Sequence, residues 1–365
     1  MTTCPSRPQN MTAQRPKTRW GTLLLCLLLP SLLLGCQKSE SPRAEEAPAP
    51  QSRTLTLAAY TTPREVYRDA LIPAFQKHWK EKTGEDVKLE DTYQGSGAAA
   101  RAIISGLEAD VAALALEGDL EQLVKANLVK STWKDNPAQG MVSRSVVVLA
   151  VREGNPKGIK GWEDLRQPGL NVLTPNVRTS GGAMWNVAAI YGAALRGKTP
   201  VPANDAAAAE GLLADVLKNV SIMDKGARES IVTFERGVGD VAITYENEVV
   251  TGRAAGRTYE AVIPASTILI ENPIAVVDTV VDKKGTRELA EAFVAFVRSP
   301  EGQRLYASKG FRPVDETVAQ EVGQQFPAPQ DLFTIRELGG WPQVLEQLFG
   351  KGAVYERALA QKEAK

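Results

Sequence analysis

Cysteine and histidine are scarce in this sequence, which contains three cysteines and a single histidine in 365 residues. Cys4, Cys26 and Cys36 all fall within the first 36 positions, so the rest of the chain has no thiol for a disulfide or a thiolate ligand. One imidazole without a thiol is a poor basis for a zinc, copper or haem site, and Ser–His–Asp catalysis would rest on His78 alone. We therefore predict no catalytic residue, no metal and no cofactor, and a structural role for His78.

Acidic residues are missing from the first 35 positions, where the charged side chains are all basic: Arg7, Arg15, Lys17 and Arg19. An apolar run follows at positions 23–34, and it is shorter than the roughly 20 residues that span a bilayer. A basic segment followed by a short apolar run is typical of an export signal. Met11, just before the main basic cluster, is an alternative start of the chain.

The apolar run ends in Leu33-Leu34-Gly35-Cys36. This order resembles the lipobox of bacterial lipoproteins, and the resemblance implies a signal peptide at 1–35 and a lipid on Cys36. Residues 36–53 are rich in Ser, Pro, Ala, Gln and charged side chains, which predicts a flexible tether. An uncleaved anchor helix and a plain signal peptide are the alternatives.

Excess positive charge is also absent. Removing residues 1–35 takes four of the 43 Lys and Arg residues and no Asp or Glu, which leaves 39 basic against 43 acidic side chains. A nucleic-acid partner would favour a basic surface, so we predict none. Anion binding stays open, because helix dipoles and backbone N–H groups bind anions independently of net charge.

The body of the chain alternates apolar strand-like runs with segments of helical spacing. The strand-like runs are at 55–60, 87–92, 111–116, 146–151 and 241–245, and the helical segments between them include 65–82, 96–106 and 120–126. This rhythm predicts an α/β protein with mostly parallel sheets, in which ligands bind beyond the carboxyl ends of the strands. About 310 residues suit two lobes better than one core.

Three predicted strand-to-helix junctions carry small residues where a helix begins: Gln94-Gly95-Ser96-Gly97, Thr179-Ser180-Gly181-Gly182 and Lys225-Gly226-Ala227-Arg228. Glycine lets a ligand approach the free backbone N–H groups, serine adds a hydroxyl donor, and the helix dipole favours negative charge. Each junction alone is also explained by ordinary helix capping. Three together indicate a convergent anion site, and none fits a Walker motif or a nucleophile elbow.

The order of these and other motifs resembles the periplasmic sulfate-binding proteins of ABC importers and their thiosulfate-binding relatives, over most of residues 54–350. The matching positions are Tyr60, Arg64-Glu65-Val66-Tyr67, His78-Trp79, Gly95-Ser96-Gly97, Gly106-Leu107-Glu108-Ala109-Asp110, Val151-Arg152-Glu153-Gly154-Asn155-Pro156-Lys157, Thr174-Pro175-Asn176, Ser180-Gly181-Gly182-Ala183, Gly226-Ala227-Arg228, Glu235-Arg236-Gly237-Val238-Gly239-Asp240-Val241, Glu246-Asn247-Glu248, Ser299-Pro300-Glu301-Gly302-Gln303 and Gly339-Gly340-Trp341.

This resemblance implies a two-lobed periplasmic-binding-protein fold of type II, with crossover strands and a cleft that closes over the anion. The implied lobes are 54–145 together with about 262–365, and about 146–261. The implied sulfate contacts are Thr61, Ser96, Ser180, Gly181, Gly182, Ala227 and Tyr245. The implied partners are sulfate, a membrane-embedded ABC permease and, through Cys36, the periplasmic side of a membrane; we expect a monomer.

Two of these positions depart from the family pattern. Thr61 stands where an aspartate is typical, and Tyr245 stands where a tryptophan indole donates a hydrogen bond. If Thr61 contacts the anion through its backbone N–H, the identity of its side chain does not alter that contact. The Tyr245 hydroxyl both donates and accepts hydrogen bonds, so the identity of the anion is affected more than its class.

The junctions contain no carboxylate before the helices proper, and this favours sulfate over phosphate. Sulfate only accepts hydrogen bonds, whereas hydrogen phosphate also donates one and needs an acceptor; leaving a buried polar group unpaired costs about 1–3 kcal/mol. We interpret Glu246 and Glu248 as structural ion-pair residues or part of a surface for the importer. Arg228 is the main charged candidate near the ligand, and we interpret it as holding the helix opening or the lobe interface, with contact to the anion as the alternative. Thiosulfate, molybdate and phosphate remain alternative ligands. The alternative functions are a sensory lipoprotein and a hydrolase with paired carboxylates.

Overall fold

The computed structural model describes residues 53–363 of the chain. The predicted signal peptide, Cys36 and nearly all of the predicted tether lie outside the described residues. The strands are β1 (Arg53–Tyr60), β2 (Val87–Gln94), β3 (Val111–Ala113), β4 (Met141–Val151), β5 (Val172–Pro175), β6 (Val220–Asp224), β7 (Val241–Tyr245), β8 (Glu260–Val262), β9 (Ser266–Val276) and β10 (Asp331–Phe333).

Helices follow most strands, as the alternating pattern predicts. The α-helices are α1 (Arg64–Val66), α2 (Ile72–Thr83), α3 (Ser96–Ile104), α4 (Glu117–Lys125), α5 (Gly181–Leu195), α6 (Ala206–Asn219), α7 (Ala227–Glu235), α8 (Glu246–Ala254), α9 (Asp278–Lys284), α10 (Arg287–Arg298), α11 (Pro300–Ser308), α12 (Glu316–Glu321), α13 (Gly340–Phe349) and α14 (Val354–Glu363). A π-helical turn at Tyr67–Leu71 joins α1 to α2, and short 3₁₀ turns occupy Ser131–Lys134, Glu163–Arg166, Gly323–Gln325 and Ile335–Leu338.

The strands form a sheet in the order β2-β1-β3-β9-β4-β7-β5-β6, with β10 beside β9 and β8 beside β4. Pairing is parallel among β2, β1 and β3 and again among β7, β5 and β6, but antiparallel at β3–β9, β9–β4 and β4–β7. The prediction of a mostly parallel sheet therefore holds for the two outer groups and is wrong for the middle. Apolar periodicity marks a buried strand without giving its direction, which explains the error.

Two long central strands join the outer groups. β9 pairs with β3 through Ile274–Val276 and with β4 through Leu269–Pro273, and β4 continues beyond this stretch to pair with β7 through Val147–Val151. These crossover strands give the two-lobed type II fold that the sequence predicts.

The predicted boundaries between the lobes stay a prediction. One observation bears on them: α14, which the prediction assigns with residues 262–365, packs on α6 of the segment 146–261. Tyr355 and Ala358 of α14 belong to the same buried cluster as Leu213 and Leu217 of α6. The C-terminal helix thus covers apolar surface of the other segment.

Apolar side chains fill both faces of each outer group. On one face of the β1–β3 group lie Phe75, Trp79 and Phe293, and on the other Ala100, Ile103 and Leu120. Within residues 53–363, no helix is both long and apolar enough to cross a membrane. The strand ends of the two groups carry the residues of the candidate site.

Candidate functional site

The seven predicted contact residues all follow the carboxyl ends of strands. Thr61 follows β1, Ser96 begins α3 after β2, Ser180 caps α5 after β5, Ala227 begins α7 after β6, and Tyr245 ends β7. Gly181 and Gly182 form the first turn of α5. All seven residues are buried, and the five that are not glycine are between 0% and 6% exposed. The helix starts therefore lie at the carboxyl ends of the strands that precede them.

Gly182 stands at the meeting point of the second and third junctions. A methyl group on its Cα would lie 3.0 Å from Cβ of Ala227, 3.3 Å from Oγ of Ser180 and 3.4 Å from Cε1 of Tyr245. Three other predicted residues, from three segments of the chain, therefore lie around Gly182.

Gly226 lies next to Thr61, the residue that follows β1. A methyl group on Gly226 would lie 3.0 Å from Oγ1 of Thr61 and 2.2 Å from Oε2 of Glu229. Gly226 is the N-cap of α7, so Thr61 lies beside the free N–H groups of that helix. The helix of the third junction begins directly after Gly226, at Ala227.

Gly95 makes the closest approach among the junctions. A methyl group on it would lie 2.4 Å from the carbonyl oxygen of Thr179 and 2.8 Å from that of Lys225. Its φ of −57° suits any residue, so the need for glycine here is steric and not conformational. Only a hydrogen on the Cα of Gly95 lets the three junctions come together.

Ser96 and Gly181 are linked through Ala115. The Ala115 N–H donates to Oγ of Ser96 at 2.8 Å, and a methyl group on Gly181 would lie 2.9 Å from Cβ of Ala115. The structure therefore brings all seven predicted residues into one connected cluster. Their contact with an anion stays a prediction.

The hydroxyl of Ser96 has a different role from the one that the sequence predicts. It donates to Oδ2 of Asp119 at 2.6 Å, so its proton is not available to a ligand. The contribution of Ser96 to an anion site is then its backbone N–H at the start of α3. Burial raises the pKa of Asp119 to about 6, against the opposing effects of the Ser96 hydrogen bond and the charge of Arg101.

Asp119 was missed at the level of sequence. It lies in the first turn of α4, where an acidic side chain is common because it complements the helix dipole. Nothing in that pattern distinguishes a buried carboxylate from an exposed one.

Two buried phenol hydroxyls lie at the cluster. Tyr60 and Tyr245 are 5% and 0% exposed, their ring centroids are 6.4 Å apart, and within residues 53–363 neither hydroxyl has a hydrogen-bond partner. Burial raises the pKa of both tyrosines above its ordinary value, so both phenols stay protonated and able to donate. Tyr60 belonged to the resemblance but was not among the predicted contacts.

Ion pairs hold three charged residues beside the cluster, namely Arg228, Glu246 and Glu248. Nη2 of Arg228 lies 2.6 Å from Oε1 of Glu65, and its Nη1 donates to Oε2 of Glu248. Arg312 binds Glu246 through two hydrogen bonds of 2.7 and 2.9 Å. Burial is the largest influence on Glu248 and raises its pKa to about 7, although Arg228 opposes it. The structure agrees with structural roles for these residues.

His78 lies away from the cluster, on the exposed face of α2, with its ring centroid 5.2 Å from that of Phe296. Over residues 53–363, no group of three or more His, Cys, Asp or Glu side chains is placed to hold a metal ion.

Replacing Asp119 by Asn tests the pH dependence of stability that the burial of the Asp119 carboxyl implies. The raised pKa means that the folded state binds the proton more readily than the unfolded state, so the contribution of Asp119 to stability falls as pH rises from about 4 to about 6. We expect the free energy of unfolding of wild type, relative to D119N, to fall by up to about 3 kcal/mol over this interval. Urea titrations at several pH values measure it, and a constant difference would contradict the raised pKa.

Comparison with known proteins places the chain in a family. The family model of bacterial extracellular solute-binding proteins matches residues 55–312. The chain is 43% identical to the sulfate-binding protein of Synechococcus elongatus, over 83% of this chain and 85% of that protein. It is 41% identical to the sulfate-binding protein of Escherichia coli, over 82% of this chain and 91% of that one.

Among solved structures, the sulfate-binding protein SubI of Mycobacterium tuberculosis superposes with a TM-score of 0.75 at 36% identity, covering 81% of this chain and 99% of SubI. Sequence, site geometry and fold therefore agree, and the chain belongs to the family of bacterial extracellular solute-binding proteins.

Proposed function

We propose that this protein captures sulfate outside the cytoplasm and delivers it to the permease of an ABC importer. The observation that carries the proposal is the convergence of three helix starts, α3, α5 and α7, on one buried cluster of neutral residues. Free N–H groups and dipoles at helix starts bind anions. The sulfate-binding relatives from Synechococcus elongatus and Escherichia coli support the choice of anion.

The proposed contacts are the backbone N–H groups of Thr61, Ser96, Gly181, Gly182 and Ala227, with hydroxyls from Ser180 and Tyr245. The Tyr245 phenol replaces an indole and is neutral, buried and without a partner in residues 53–363, so a ligand oxygen would satisfy its donor. The nearby carboxylates Asp119 and Glu248 are bonded to Ser96 and Arg228.

We also propose that the chain has no enzymatic activity, acts as a monomer and is held at the membrane by a lipid on Cys36. Transfer of an intact anion needs no bond to be broken. The lipobox-like order Leu33-Leu34-Gly35-Cys36 supports the anchor.

Titration calorimetry of the ligand-stripped protein with sulfate, thiosulfate, molybdate and phosphate tests the proposed ligand. We expect sulfate to bind more tightly than phosphate at pH 8, because hydrogen phosphate would bring a proton to a cluster built of donors. Tighter binding of phosphate at that pH would overturn the donor-only site. Tighter binding of thiosulfate would keep the mechanism and change the ligand.

Gly95→Ala tests whether the three junctions must meet for binding. The new methyl group would lie 2.4 Å from the carbonyl oxygen of Thr179, a backbone atom that cannot rotate away. Overpacking of this kind costs about 1–3 kcal/mol, so we expect sulfate affinity to fall by about 5- to 150-fold if the cost falls on the ligand-binding arrangement.

Gly211→Ala is the matched control, because Gly211 lies inside α6 with no atom within 4 Å of the added methyl group. It should leave affinity unchanged and stabilise the helix slightly. Equal affinities in the two variants would show that the Gly95 contact is not needed for binding.

Cys36→Ser tests the anchor. In the native host, we expect the substituted protein to move from the membrane fraction to the soluble fraction and to lose labelling by a radioactive fatty acid. Cys26→Ser, in the predicted leader, is the control and should remain membrane-bound. Retention of C36S in the membrane would contradict lipidation at this position.

A further inference from the structure

Three exposed basic side chains surround the junctions that form the cluster. Arg101 lies on α3, Arg178 in the loop before α5, and Lys225 in the loop before α7. Each therefore belongs to, or directly precedes, one of the three helices whose starts converge. They are named here the basic rim.

Backbone contacts hold the basic rim together. Nη2 of Arg101 donates to the carbonyl oxygen of Arg178 at 3.1 Å. The next residue, Thr179, donates through Oγ1 to the carbonyl oxygen of Lys225 at 2.8 Å. Gly95, at the start of α3, packs against the carbonyls of Thr179 and Lys225. The three cations are thus brought to one edge of the molecule by the contacts that assemble the site.

The rim charges are not cancelled by ion pairs. Among the ion pairs of residues 53–363, none includes Arg101, Arg178 or Lys225, whereas the neighbouring Arg228 contacts two glutamates. Several carboxylates lie near the rim and offset part of its charge, among them Glu229, whose Oε2 approaches Gly226 beside Lys225. Asp119 accepts from Ser96, Asp224 from Thr233 and Glu356 from the N–H of Gly352. None of the three forms an ion pair with a rim cation within residues 53–363, although the charge of Arg101 acts to lower the pKa of Asp119.

The charge of the whole body makes a local positive field useful. After residue 35 the chain has 39 basic and 43 acidic side chains, and a dianion approaching it is repelled on average. The binding cluster itself is neutral and buried, so it attracts the anion only at short range. Fields at a protein surface act over a screening length of roughly 8 Å in physiological salt, so cations that adjoin the three junctions act on an anion that comes close to them.

We propose that Arg101, Arg178 and Lys225 steer the tetrahedral dianion into the cleft and set its association rate without contacting it in the bound state. This proposal rests on the proposed function. The separation of tasks follows from the positions: neutral donors inside determine how long the anion stays, and exposed cations outside determine how often it arrives.

The experiment compares sulfate binding by wild type and by the triple variant R101Q/R178Q/K225Q in stopped flow. The signal is intrinsic tryptophan fluorescence, since Nε1 of Trp185 donates to the carbonyl oxygen of Ala115 beside the cluster. We expect the association rate constant to fall roughly 3- to 10-fold at low ionic strength and the difference to shrink as NaCl is added. The dissociation rate constant should stay unchanged.

The control is K82Q/K125Q/R236Q, which removes the same charge at positions away from the three junctions. Lys82, Lys125 and Arg236 are exposed and lie at the C-terminal ends of α2, α4 and α7, the ends farthest from the strand termini that form the cluster. It should retain a wild-type association rate constant. An equal fall of the association rate constant in both variants would indicate a net-charge effect and overturn the proposal that the rim steers the anion.

The remaining outcomes also decide the proposal. A faster dissociation in the rim variant would mean that the cations contact the bound anion, contrary to steering. Normal association with impaired sulfate uptake in cells would assign the rim to contact with the importer and overturn steering. Absence of sulfate binding in wild type would remove the proposed function itself, a result that the calorimetric titration recognises separately.

Discussion

The contact of Gly95 with the carbonyl oxygens of Thr179 and Lys225 is the constraint on which the candidate site depends. These three positions are far apart in sequence and belong to three different strand-to-helix junctions. A backbone carbonyl has no rotamer to change, so the distance between the junctions is set by the hydrogen atom on one Cα. The helix starts converge only because this position carries no side chain, and their partial positive charges then act on the same volume.

Most of the charged groups beside the cluster are paired with one another, and the exception is Glu229, whose Oε2 approaches Gly226 at the start of α7. Arg228 contacts Glu65 and Glu248 in the ion-pair cluster beside the site, while Asp119 is occupied by Ser96. Each of these carboxylates has its own partner, so it does not compete for the N–H groups at the helix starts. An anion site without a countercharge suits a protein that must also release its ligand, because dipoles bind firmly without the strong attraction of an opposite full charge.

The sequence predicted the parts of the site that follow from backbone chemistry. Glycine and serine at a helix start indicate exposed N–H groups, and the structure places Ser96, Ser180 and Ala227 in one cluster as expected. The prediction that the Ser96 hydroxyl donates to the anion was wrong. This hydroxyl donates to Asp119, which folding brings beside it from 23 residues away. A short-range pattern carries no information on such a partner.

The fold shows the same limit. Apolar runs located β1, β4 and β7, but the antiparallel middle of the sheet and the packing of α14 on α6 depend on contacts between distant segments. Local periodicity gives the burial of a segment and not its neighbour. Motif order over most of the chain supplied the two-lobed topology that local patterns did not.

The pairing of β3 with β9 has a consequence for biogenesis. Val111 in β3 lies opposite Val276 in β9, so the sheet that begins at Arg53 is completed only by a strand more than 150 residues later. Such non-local pairing is slow to form, since a long loop must close first. β3 therefore lacks one of its two sheet neighbours until β9 has been synthesised. The two parts of the sheet on either side of β9 can therefore be joined only after residues 266–276 have been synthesised.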